Sequence, residues 1–308
     1  MARAGMPPRH LRRASCGTLL VGSLGRTKVS AAWSKRLWAH MQNPLTFSLL
    51  SWSFQPRALV LADKDDASTG LHQGAKPSIE GLNLAYIPVS LRRRCSPFSR
   101  ATLAVAYAAA KGDGAEDICM PAVFASAHGE SEITEQLLRE IALEQQLSPM
   151  GFSLSVHNAA SGLFSIATGN KAPASAIAAN EDTFIMGLCE AVLQLSQQGH
   201  DRVLYVCSDD RVPDVFMAAP EVQGVPHALA LLIARPSESR GPVVVCGLER
   251  RAEPGDSGSA DAPLACARWL AAGASQPLHL RSAQGVWRLE AGADPAGLFC
   301  PAGKEQGA

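Results

Sequence analysis

At 308 residues with 47% apolar content, the chain can bury a full core as one large domain or two small ones. Its 28 basic and 28 acidic residues balance, so a nucleic-acid role has no global electrostatic support. No window reaches the ~18 consecutive apolar residues of a spanning helix, which excludes that kind of membrane protein.

Eight cysteines are scattered at Cys16, Cys95, Cys119, Cys189, Cys207, Cys246, Cys266 and Cys300. None forms a C-x-x-C pair, so neither a zinc site nor any other metal centre is expected. Several lie within apolar patterns, where a free thiol behaves as a small hydrophobe, and the setting is read as reducing and cytoplasmic.

Residues 1–44 carry Arg3, Arg9, Arg12, Arg13, Arg26, Lys28, Lys35 and Arg36 and no acidic residue. This segment is read as a disordered basic extension, either a targeting peptide or an over-long reading frame with Met41 as the candidate start. Leu45 to Phe54 predicts a first strand and turn, and Asp63 to Lys76 a loop. After SLRRRCSPFSR, Ser99 is placed to cap a helix through ATLAVAYAAAK, stopped by Gly112. Ile118 to Ala125 reads as a buried parallel strand with Pro121 near its start. Ser131 is placed to cap the next helix. There Ile133, Leu137, Leu138, Ile141 and Leu147 recur at helical spacing, and Pro149 follows the end.

From Ser153 to Asp210 come a turn with a short helix, a loop, a small-residue strand (Ser175 to Ala179) and a long helix from near Glu181. Phe184, Ile185, Leu188, Cys189, Val192 and Leu193 give that helix an apolar stripe wide enough for burial on most sides. Gly199 supplies a left-handed turn and Val203 to Val206 the next strand. His227 to Ala234 and Val243 to Leu248 read as two further strands able to form a hairpin. Arg251 to Pro263 is a loop, ACARWLAAG a short helix, VWRLEA a last strand, and the tail from Gly297 is loose. Alternation of strand and helix is the signature of a parallel α/β architecture.

His157-Asn158-Ala159, the Gly169 to Pro173 turn, Ala176-Ile177-Ala178-Ala179, the helix, Gly199-His200-Asp201 and Val203 to Val206 occur in a telling order. In this the chain resembles the N-terminal half of a β-ketoacyl synthase, a family of the thiolase fold. Pro88 to Arg100, and Ala125 to Glu130 followed by SPMGFSLSVHN, fit the short branch that looks like chain length factors, as in aryl polyene clusters. The resemblance covers Leu45 to Pro236. It implies an α/β, thiolase-like fold with a mostly parallel sheet and buried helices, essentially one half of a ketosynthase. Residues 45–236 would be the ketosynthase-like domain, and 237–308 short C-terminal strands, a helix and a tail.

A working ketosynthase needs a Cys at the tip of the helix, where unpaired N–H groups favour a thiolate, and two histidines from its second half. The nucleophile-equivalent position here holds Asn180 or Glu181. Cys189 lies about two turns inside the helix, where the dipole effect has faded, and is assigned to packing. The second-half histidine motifs are missing. Only His227 and His279 follow residue 210, both in apolar runs, and both read as structural. His128-Gly129-Glu130 is read as a turn with a helix-start charge. Asp209 and Asp210, at a strand end, read as solvated or turn-forming.

The resemblance makes His157, Asn158, Phe184 and Met186 candidates for a pocket wall or interface. Arg92, Arg93 and Arg94 are candidates for contact with an acyl carrier protein, against the plainer reading of a solvated basic turn. Ala160-Ser161-Gly162 lacks the context of a nucleophile elbow, and nucleotide-binding motifs are absent, so no cofactor is expected. The expected function is a non-catalytic, chain length factor-type subunit that pairs with a complete ketosynthase. The alternatives are an active condensing enzyme with Glu181 as a decarboxylating base, and a stand-alone acyl-binding protein.

Overall fold

The computed structural model describes residues 45–56, 84–196, 199–216, 226–236, 243–251 and 261–292. The basic segment 1–44, the loop expected at 63–76, most of that at 251–263 and the tail from 297 lie outside them. In chain order the elements are β1 (Leu45–Pro56), α1 (Val89–Arg92), α2 (Pro97–Lys111), β2 (Ala122–Ala125), α3 (Ser131–Ala142), α4 (Pro149–Leu154), α5 (Ala159–Thr168) and β3 (Ala174–Ile177). There follow α6 (Thr183–Ser196), β4 (Arg202–Asp209), β5 (His227–Ala234), β6 (Val243–Arg251), α7 (Ala262–Ala271), β7 (Leu278–Ser282) and β8 (Gly285–Gly292).

The eight described strands join one sheet in the order β3-β2-β4-β5-β1-β6-β8-β7. The α/β class and the buried helices are as expected, but the strand directions need correction. Only β2–β3 and β2–β4 are parallel; the other five pairings are antiparallel. Parallel neighbours need long crossovers, which α3 to α5 supply between β2 and β3, and α6 between β3 and β4. A run such as HALALLIA is continuous because both faces of β5 are covered, and two-sided burial carries no information on direction.

The expected hairpin is also absent. β5 and β6 both run antiparallel to β1 and lie on its opposite sides, so they point the same way. Ser48 faces Ala234 on one side and Val243 on the other, so β1 joins two strands that are staggered along its length. The strands after residue 242 thereby extend the same sheet, and β7, unforeseen as a strand, forms its far edge.

Helices cover both faces of the central strands. α2 lays Leu103, Ala106 and Ala110 into a cluster with Leu204, Val206, Ala230 and Leu232. Period-2 alternation turns Val203, Tyr205 and Cys207 to the opposite face, where α6 packs on β2 and β4. Ser51 donates to the carbonyl of Ala109 at 2.5 Å, satisfying an orphan acceptor in the last turn of α2.

Several helix boundaries differ from expectation. Ser96, not Ser99, caps α2: its hydroxyl accepts from the Ser99 N–H at 2.9 Å, and Pro97 takes the first helical position, where a missing N–H costs nothing. Gly112 ends α2 in a right-handed conformation, with φ −67°. Glu130 rather than Ser131 is the cap residue of α3 and makes no side-chain cap bond. Pro149 does not trail a helix but starts α4, capped by Ser148. Of the α3 stripe only Leu137 is buried; Leu138, Ile141 and Leu147 are exposed.

Among the described glycines, the sheet approaches most closely at Gly187 of α6. A Cβ there would sit 2.8 Å from both Ala125 Cβ and Tyr205 Cε2. Gly187→Ala should therefore destabilise the fold by about 1–3 kcal/mol, although alanine is favoured over glycine in a helix by ~1 kcal/mol. Chemical denaturation checks this, and an unchanged or raised midpoint would refute the close approach.

Candidate functional site

Three strand ends meet at the carboxyl edge of β3, β2 and β4, the place where α/β sheets commonly hold ligands. The N–H of Ser126, just past β2, donates to Ile177 O at the end of β3 at 3.0 Å, which brings the two following loops side by side.

After β3 the chain turns into α6 through Ala178, Ala179 and a 3-10 turn, Asn180–Asp182. Asn180 has a left-handed φ of 51°. Such a conformation is uncommon outside glycine, and asparagine tolerates it better than most residues. Thr183 closes the turn: its hydroxyl accepts from Ala179 N–H at 3.0 Å and donates to Asn180 O at 2.6 Å. The side chains of Asn180 and Glu181 are exposed, and no thiol stands at this tip. Cys189 is 4% exposed inside α6, and burial pushes its thiol up to about 12. It stays protonated at neutral pH, as a packing residue should.

Asp182 was not singled out by the sequence, yet it anchors this elbow. Its buried carboxylate accepts the Ala283 N–H from the β7–β8 turn at 2.9 and 3.2 Å. Burial raises its pKa, partly offset by that bond. The only sequence trace of this role is an acidic residue at a helix start, a signal common to many solvated ends.

The loop after β2 is stitched to β4. Asp209 accepts from the Ser126 hydroxyl at 2.7 Å and from the N–H groups of Ala127 and His128 at 3.1 and 3.0 Å. This corrects the reading of Asp209 as a solvated or merely local turn residue: two parallel strand ends share its charge. His157 Nε2 lies 2.8 Å from the Ser126 carbonyl oxygen, and its ring lies against Gly129, which has φ +57°. Asn158 takes the cap position of α5 without a side-chain bond.

Glu130, read as a helix-start charge, is instead buried and accepts from the hydroxyls of Ser96, at 2.8 Å, and Ser99. Loss of hydration raises its pKa, the two hydroxyl bonds opposing and the nearby Asp210 and Glu132 charges adding to the rise.

The remaining candidates are dispersed. Phe184 is buried; its ring meets Tyr205 with centroids 5.8 Å apart, and its carbonyl accepts from the Tyr205 hydroxyl at 2.5 Å. Met186 is half-buried. Arg92 reaches Leu84 O at 3.4 Å, while Arg93 and Arg94 are exposed ahead of α2. The structure thus gathers Asn180, Glu181 and the His157 loop at one sheet edge and leaves the arginines on the α1 turn. Among the described residues no group of three or more His, Cys, Asp or Glu side chains could hold a metal, and no helix is long and apolar enough to cross a membrane.

The sequence pattern of the family described as beta-ketoacyl synthase, N-terminal domain, matches residues 64–289. The chain belongs to this family. The match runs beyond Pro236, where the resemblance read from the sequence stopped, and takes in β6, α7, β7 and part of β8. No curated protein matches the sequence. Among solved structures, the fold is similar to a chain of a ketosynthase in complex with its chain length factor from Xenorhabdus doucetiae. That likeness has 22% identity and a TM-score of 0.62, over 80% of this chain and 99% of that one. It is also similar to the ishigamide ketosynthase/chain length factor, with 16% identity and a TM-score of 0.51 over 74% of each chain. At these identities the likeness establishes the thiolase-like ketosynthase fold.

The folded protein holds the Glu130 proton more tightly than the unfolded chain does. Stability from this group is therefore complete below the ordinary glutamate range and is lost as pH rises through the raised value. Glu130→Gln, which keeps an acceptor for Ser99, should flatten that decline in denaturation midpoints measured from pH 4 upward. An identical pH profile in wild type and variant would show that the carboxylate is not buried as described.

Proposed function

We propose that this chain is a non-catalytic, chain length factor-type subunit that pairs with a complete β-ketoacyl synthase during acyl or polyketide chain elongation. The observation that carries the reading is the elbow between β3 and α6. It has the left-handed backbone of a reactive turn but presents Asn180 and Glu181, while the one thiol of α6 is buried and protonated. A ketosynthase that lacks a nucleophilic sulfur has no atom to carry the acyl thioester.

The histidines support the same reading. His227 starts β5 and His279 lies on β7, with β1, β6 and β8 between them. Four strand spacings put them about 19 Å apart across the sheet. Two such residues do not converge on one carboxylate or enolate oxygen. The partner would supply the Cys and the paired histidines, and this chain would wall the channel, with Phe184 and Met186 below the elbow and His157 and Asn158 beside it. Arg93 and Arg94, exposed ahead of α2, suit the acidic surface or phosphopantetheine phosphate of an acyl carrier protein.

The test is turnover with malonyl- and acyl-loaded carrier protein, by the purified chain alone and together with its ketosynthase. The chain alone should give no condensation and no acyl adduct by intact-mass spectrometry. The mixture should give both, with the adduct on the ketosynthase. Cys189→Ala should leave the rate of the mixture within about twofold, because the thiol only packs. An acyl adduct on the isolated chain, or decarboxylation abolished by Glu181→Gln, would overturn the proposal.

A further inference from the structure

Ser126, at the head of the loop after β2, is 6% exposed, and each of its polar groups has a partner. Its N–H reaches Ile177 O, and its hydroxyl donates to Asp209 and accepts from the Gly129 N–H at 2.7 Å. Its carbonyl oxygen faces His157 Nε2. A carbonyl only accepts, so Nε2 must carry the proton, and the bare nitrogen of the neutral ring is Nδ1. The ring also rests against Gly129, where a Cβ would stand 3.5 Å from His157 Cδ2.

Asp209 sets this geometry without touching the ring. One carboxylate oxygen takes the Ser126 hydroxyl and the His128 N–H, and the other takes the Ala127 N–H. Three donors on one carboxylate fix the loop, and the loop fixes the carbonyl that orients the imidazole. Asparagine could not serve the same three, because its amide would turn an NH2 toward a donor. Yet His157 is an exposed residue, and its Nδ1 has no partner among the described residues. A ring that is merely solvated gains nothing from a fixed tautomer. A ring that recognises a ligand does, since a contact atom held by its supporting shell is preorganised.

A bare Nδ1 accepts and cannot donate, so it offers nothing to a phosphate, a carboxylate or a thioester carbonyl. It can bind a hydroxyl or an amide N–H. We propose that Asp209 is a positioning residue that holds His157 as an acceptor for a hydroxyl or amide N–H of an acyl-thioester chain at this edge. The acyl thioester rests on the function proposed above; the relay from Asp209 to His157 does not. Both donors occur on such a chain, a hydroxyl on a β-reduced acyl group and an amide on the pantetheine arm.

The full chain, carrying nitrogen-15 histidine, is studied alone and with its unlabelled ketosynthase by long-range proton–nitrogen correlation. The pH is about 8, where an ordinary histidine is neutral. The His157 signals, assigned by their absence in His157→Gln, should show one tautomer, protonated at Nε2. Asp209→Asn should give a mixture of tautomers. Ser126→Ala, which removes a single anchor, should do the same and serves if the first variant does not fold. The probes are the N-acetylcysteamine thioesters of butyrate, which offers an amide, and of 3-hydroxybutyrate, which adds a hydroxyl. A shift of the Nδ1 resonance with both assigns the amide, and with the hydroxy thioester alone the hydroxyl. His157→Phe should weaken binding of the effective probe about fivefold to tenfold. His157→Gln, which can donate to Ser126 O and still accept, should keep most of it.

A wild-type ring protonated at Nδ1, or one unchanged tautomer in both Asp209→Asn and Ser126→Ala, overturns the relay. An Nδ1 resonance that neither probe moves overturns the ligand and leaves His157 as a brace for the loop. Both results are read without turnover, so they stand apart from the test of the chain length factor reading.

Discussion

The contact on which the site depends is the close approach of α6 to the sheet. Gly187 has no side chain, so Ala125 and the Tyr205 ring fill the space a Cβ would take, and the Tyr205 hydroxyl binds the Phe184 carbonyl one turn nearer the tip. Interiors are packed densely enough that such an arrangement fixes the height of a helix over the strands beneath it. The height of α6 in turn fixes where the turn at Ala179–Asp182 emerges. Position at the elbow is thus set by buried packing a turn and more away, and not by whatever side chain occupies the tip.

Three acidic groups at or near that edge are held by the protein itself. Asp209 joins the ends of β2 and β4, Asp182 joins the elbow to the β7–β8 turn, and Glu130 joins the α2 cap to the loop after β2. A general base needs a carboxylate that can take up a substrate proton, whereas these are engaged by hydroxyl and backbone N–H donors. Such bonds rigidify loops that a parallel sheet would otherwise leave loosely attached to its edge. These bonds fix the shape of the edge from which the elbow projects.

The parts of this fold legible in the sequence were those written in local chemistry. Apolar runs marked β2, β4 and β5, the broad stripe of α6 announced burial, and the small residues of β3 leading to a helix located the elbow. Strand direction was not legible, because covering both faces produces the same apolar run in a parallel or an antiparallel strand. The α2 cap falls three residues earlier than expected because two serines flank Pro97-Phe98, both donate to the buried Glu130 over thirty residues later, and sequence spacing does not show which one accepts the backbone N–H. Asp182 and Asp209 were missed as anchors for a related reason. Their partners, Ala283 and Ser126, lie 101 and 83 residues away in the chain, and one of the bonds ends on a backbone N–H that has no sequence signature. The α3 stripe shows the limit of periodicity most clearly, since spacing shows that a face is apolar and not what covers it.

The conformation of Asn180 is held by the packing around it. A non-glycine residue at positive φ carries a strain of about 1–3 kcal/mol. The surroundings explain why it persists. Thr183 grips both sides of the turn, Asp182 ties it to the β7–β8 turn, and α6 is locked by Gly187, so relaxing φ would require moving the helix. A side chain that tolerates the left-handed region relieves most of the strain without disturbing those anchors, and asparagine is such a side chain. The turn is thus held by its neighbours around a residue suited to its backbone conformation.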